Sequence, residues 1–92
     1  MVEKTVTVQN VSGLDMQTAA MIAENSSRFQ ADIYLQQGSM RANAKSVMGV
    51  MMLAARRSSE LTIITNGEDE ELAMVRMESL LTEAFDVEVT SP

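Results

Sequence analysis

The sequence predicts an α+β two-layer domain, an antiparallel sheet covered by helices on one face. Three observations carry this. Stretches of two-residue periodicity and stretches of helical periodicity follow one another in the order β-α-β-β-α-β-α. Two of those strands meet at Gly38 and Ser39, a tight turn that a wholly parallel sheet would not contain. At 92 residues the chain is sized for one domain, taken as 1–92.

Each element has its own signal. Val2, Lys4, Val6 and Val8 alternate with Glu3, Thr5 and Thr7, which is strand periodicity. Asn10, Ser12 and Gly13 mark a loop. Asp15 then opens a helix to about Ser27, with Ala19, Ile22, Ala23 and Ser26 on one face and Phe29 closing the core side. Asp32–Gln37 is the second strand, with Ile33 and Leu35 on one face, and Met40–Ala44 the third. Ser46 is a strong helix cap because a serine oxygen can accept from the free amides of the first turn. "VMGVMMLAA" follows as a short helix, with Met52 and Leu53 expected in the core, and "RRSS" ends it. "ELTIITN", residues 60–66, is the fourth strand, broken by Gly67. Asp69, Glu70 and Glu71 suit the positive end of the last helix, which Leu72, Val75, Met77–Leu81 and Ala84 carry to about residue 84. The tail 85–92, "FDVEVTSP", alternates again and reads as a short extra strand or a frayed end.

Composition narrows the function classes. The net charge of −6 repels nucleic acid phosphates and argues against direct DNA or RNA binding. There is no cysteine and no histidine, which excludes disulfides and the usual zinc ligands, so no metal or other cofactor is expected. No apolar run approaches the roughly 20 residues needed to cross a bilayer, and the N-terminus has no apolar signal core. A cytoplasmic, non-membrane protein is expected.

The segments "TVTVQNVSGL", "AENSSRFQADIYLQ", "NAKSVMGVMMLA" and "ELTIITNGEDEELAM" resemble HPr, the histidine-containing phosphocarrier of the bacterial sugar phosphotransferase system. The resemblance runs from about residue 2 to residue 84 and implies an open-faced sandwich with three helices on one face of a four-stranded sheet. It implies a non-enzymatic protein with two phosphorylation sites. One is a histidine followed by Ala-Arg-Pro, served by Enzyme I. The other is a serine opening the second helix, modified by an HPr kinase and then read by a catabolite control repressor.

The first site is dismantled here, since Asp15, Met16, Gln17 and Thr18 occupy its place. The imidazole that makes a reversible phosphoramidate is absent, and so is the guanidinium fork for phosphate. The second is retained as Ser46 within "KSVMGVM". In this respect the chain resembles the catabolite repression HPr branch, which also lacks the histidine. Ser46 reads either as a plain cap or as a regulatory phosphorylation site, where a phosphate would face free amides. Val47, Met48 and Met51, with Met16 and Gln17 at the edge, are candidates for partner docking, because methionine adapts to varied surfaces. Asp15 has three readings: a helix cap, an imitation of a charged phosphorylated state, or a phosphoryl acceptor forming an acyl phosphate. Arg56 and Arg57 are either a solvated helix end or a contact for an acidic partner. The expected function is an HPr-like regulatory protein whose partners are an HPr kinase, a catabolite control repressor or phosphotransferase components. Adaptor work for an unrelated partner stays open.

Overall fold

The structure, a computed structural model, describes residues 1–10 and 12–82. The order is β1 (Val2–Thr7), α1 (Met16–Ser26), β2 (Asp32–Gln37), β3 (Met40–Asn43), α2 (Val47–Met52), β4 (Glu60–Asn66) and α3 (Glu70–Thr82). The strands form one antiparallel sheet in the order β1-β4-β2-β3. Val6 lies opposite Leu61, Leu35 opposite both Ile63 and Ala42. These residues project to the same face and are buried there with Ile33. Onto that layer pack Ala19 and Ile22 of α1, Val50 of α2, and Ala73, Met77, Leu80 and Leu81 of α3. Burying a side chain the size of Ile22 or Leu80 contributes roughly 1.5–3 kcal/mol.

The opposite face of the sheet carries Thr5 and Thr62, whose hydroxyls bond at 2.9 Å. It also carries Tyr34, with the Arg41 guanidinium 5.6 Å from its ring centre. Ile64 sits on this face between Glu3 and Tyr34 of the neighbouring strands. It is buried, yet outside the core cluster.

Several boundaries and faces differ from the sequence expectation, beginning with the first strand, which ends at Thr7 rather than Val8. α2 is six residues long and ends at Met52. Ala54 adopts a left-handed conformation, φ 51°, and turns the chain out of the helix. Leu53 is core as expected, but Met52 is exposed. On α3, Leu72 and Val75 point to solvent, while Ala73, Met74, Met77, Leu80 and Leu81 form the buried stripe. The third strand stops at Asn43, one residue early. Residues 83 and 84 of the expected last helix, and the tail 85–92, lie outside the described residues.

Gly67 joins β4 to α3 at φ 152°, and a Cβ there would lie 2.6 Å from Ala31 Cα. The same corner is tied by Asp69, whose carboxylate oxygens accept the amides of Gln30 at 3.0 Å and Ala31 at 2.8 Å. The acidic run at the start of α3 therefore fastens the β2 entry to the last helix.

Candidate functional site

Helices α1 and α2 run antiparallel, each meeting the other's end. Where α1 begins, the Leu14 amide donates to the Ala55 carbonyl at 3.0 Å, just past the end of α2. Gly13, at φ 66°, allows this approach, since a Cβ there would lie 2.5 Å from the Ala55 oxygen and 2.9 Å from Arg56 Cα. Where α2 begins, Lys45 Nζ donates to the Phe29 carbonyl, beyond the end of α1, at 2.9 Å. Asp15 and Ser46 thus open helices at opposite ends of the pair. The length of α2, about 9 Å of helical rise, lies between those ends.

Asp15 is the N-cap of α1, with extended backbone at φ −78° and ψ −177°. Its Oδ1 accepts the Thr18 amide at 2.9 Å. Gln17 is exposed beside it, and Met16 is 66% exposed. Ser46 is the N-cap of α2, at φ −111° and ψ 115°. Its Oγ accepts the Gly49 amide at 3.0 Å, and its carbonyl accepts the Val50 amide at 3.0 Å. The turn before it is held by Asn43, whose Oδ1 accepts the Lys45 amide at 2.9 Å and whose carbonyl accepts the Ser46 amide at 3.0 Å. A Cβ on Gly49 would stand 3.2 Å from Ser46 Oγ. Glycine in a helix costs about 1 kcal/mol relative to alanine, and here it leaves the hydroxyl uncrowded.

The docking candidates divide by burial. Met48 is 68% exposed, whereas Val47 and Met51 are half-buried and lean on the core. Met52, one turn beyond Met48, is 67% exposed, so α2 presents Met48 and Met52 together. The sequence periodicity missed Met52 because a six-residue helix is too short to define its inner face. The signal that could have found it is Val50 and Leu53, which mark the opposite, buried side at i, i+3 spacing. Arg56 and Arg57 are exposed where the chain leaving α2 passes the entry of α1, so they stand with the Asp15 end and not with Ser46.

Asn10, read from the sequence only as a loop residue, has a further part. It is buried, and its Nδ2 donates to the Leu80 carbonyl at 3.3 Å, joining the loop before α1 to the end of α3. Among the described residues no group of three or more histidine, cysteine, aspartate or glutamate side chains is placed to hold a metal ion. None of the described helices is long and apolar enough to cross a membrane.

The elements make an open-faced α+β sandwich with two side-chain-capped helix starts, Asp15 and Ser46, and an α2 that turns Met48 and Met52 to solvent. The profile of the family described as the PTS HPr component phosphorylation site matches residues 2–83, and the chain belongs to this HPr family. It is 43% identical over 88 residues to the phosphocarrier protein HPr of Treponema pallidum, covering 96% of this chain and 100% of that one. It is 36% identical over 83 residues to the HPr-like protein Crh of Bacillus subtilis, covering 90% and 98%. The crystal structure of the phosphocarrier protein HPr from Bacillus anthracis superposes with a TM-score of 0.84 at 38% identity, over 87% of this chain and 95% of that one. The family consists of phosphocarrier and regulatory proteins of the phosphotransferase system, not enzymes.

Proposed function

We propose that this chain is a regulatory docking protein of the phosphotransferase system, unable to carry phosphohistidine and switched by phosphorylation of Ser46. The observation that carries the reading is the contrast between the two helix starts. At Asp15 the side chain is an exposed carboxylate committed to capping, and the chain has no histidine. At Ser46 a hydroxyl sits at an N-cap beside a glycine that leaves it room. A phosphate on Ser46 would place dianionic charge against the amides of the first turn of α2, next to Met48. The partner surface is then Met16, Gln17, Val47, Met48 and Met51, extended by Met52, with Val47 and Met51 supplying the semi-buried floor.

Carbon catabolite regulation is the process this fits, with a cytoplasmic HPr kinase writing the mark and a catabolite control repressor reading it. Incubation with ATP and the kinase of the same host, followed by intact-mass measurement, is expected to add one phosphoryl group to the wild type and none to Ser46→Ala. An unmodified wild type overturns the switch. The cap bond of Asp15 favours docking over acyl-phosphate chemistry at that position. Phosphoenolpyruvate and Enzyme I are accordingly expected to leave no hydroxylamine-labile label.

A further inference from the structure

Between α1 and β2 the chain is held from two sides by opposite charges. On one side Lys45 Nζ donates to the Phe29 carbonyl at 2.9 Å. On the other, Asp69 Oδ2 accepts the Gln30 amide at 3.0 Å and Oδ1 accepts the Ala31 amide at 2.8 Å. The Phe29 carbonyl and the Gln30 amide belong to one peptide unit, so an ammonium and a carboxylate grip the same group by its two ends. Each bond strengthens the other, because the cation on the oxygen draws electron density from the amide and makes its proton a better donor to Asp69. The charge of Lys45 also acts on Asp69 directly, in the same sense, and helps to hold its carboxyl below the usual range. Lys45 therefore belongs to two places. In sequence it adjoins Ser46, and in space its ammonium serves the corner where α3 begins.

We propose, on the footing of the Ser46 switch above, that Lys45 carries the state of Ser46 to that corner. A phosphate on Ser46 takes the Lys45 ammonium from the Phe29 carbonyl, and the grip of Asp69 on Gln30 and Ala31 loosens. The exchange follows from the strengths of the two acceptors, since a charge-assisted bond to phosphate is roughly twice as strong as one between neutral groups and also exceeds one to a neutral carbonyl. Lys45 and Ser46 are consecutive, and the flexible four-carbon stem of lysine lets the ammonium serve either acceptor. Arg56 and Arg57 stand at the opposite end of the helix pair and leave the phosphate to Lys45. Two acceptors give the side chain two discrete arrangements, and the corner between α1, β2 and α3 is the element they bias. A mark written at the start of α2 is thereby felt at the start of α3.

Phosphoserine built in at position 46 of the full chain during translation tests this, so the result does not depend on whether a kinase recognises the protein. Amide hydrogen exchange is read residue by residue by NMR. The Gln30 and Ala31 amides are expected to exchange about threefold or more faster with phosphoserine than with serine, while those of Leu35 and Ile63 in the middle of the sheet stay unchanged. In Lys45→Met, which keeps a side chain of similar length without the charge, the serine form is expected to show the faster exchange already and phosphoserine to add nothing. Lys45→Arg, which restores a cation, is expected to restore the response. Equal exchange of Gln30 and Ala31 in the serine and phosphoserine forms of the wild type overturns the proposal. An equal rise in the wild type and in Lys45→Met also overturns it, assigning the effect to the field of the phosphate itself.

Discussion

Ser46 contributes to folding whether or not it is modified. Its Oγ satisfies an amide that would otherwise lack a partner within a helix of only 6 residues. Ser46→Ala is expected to lower unfolding free energy by about 1 kcal/mol, read as a shifted urea midpoint with unchanged slope. Ser46→Asp restores an acceptor at the cap and is expected to recover most of that loss. The sequence showed the cap at once, because capping depends on one residue and the turn that follows. It could not show that Gly49 leaves the hydroxyl uncrowded, which depends on the path from Asn43 into the helix.

The elements divide according to how their inner faces were set. For α1 the apolar spacing was decisive, and Ala19, Ile22, Ala23 and Ser26 are all buried. For α3 it was ambiguous, since apolar residues occur around most of the helix. Leu72 and Val75 read as part of the periodic run, but the sheet meets Ala73, Met77 and Leu80 instead. Leu72→Lys is therefore expected to change stability by less than about 0.5 kcal/mol, whereas Leu80→Ala should cost about 2–5 kcal/mol. Chemical denaturation of the two variants side by side checks the assignment of faces. The same ambiguity hid Met52, so the apolar surface of α2 is wider than residue spacing implied.

At the level of the whole molecule, acidic residues tie distant segments together. The amides of Gln30 and then Ala31, with the charge of Lys45, hold Asp69 below the usual carboxylate range despite some opposing burial. The Gly67 amide and the chain's N-terminal ammonium, 3.2 Å away, lower Glu70. Both groups bind protons more weakly in the folded state than in the unfolded one. The unfolded chain therefore takes up more protons as pH falls below about 5, and the stability these carboxylates supply at neutral pH is lost as pH drops through their lowered folded values. Urea titrations between pH 7 and pH 3 are expected to show this loss in the wild type. Asp69→Asn should be less stable at pH 7 and show a shallower decline toward acid. An equal decline in both proteins would remove Asp69 from the account.

The sequence by itself determined the order of elements, the two helix caps, the hairpin at Gly38 and the absence of an imidazole for phosphoryl transfer. Those features are local, fixed by side-chain alternation, single capping residues or composition. Tertiary structure alone decided which way α1 and α2 lie, and hence that Asp15 and Ser46 stand at opposite ends of the pair. It also decided that Met52 joins Met48 at the surface, and that Asp69 closes a corner with Gln30 and Ala31. Each depends on contacts between segments distant in the chain, such as Leu14 with Ala55 and Lys45 with Phe29, which no local pattern encodes.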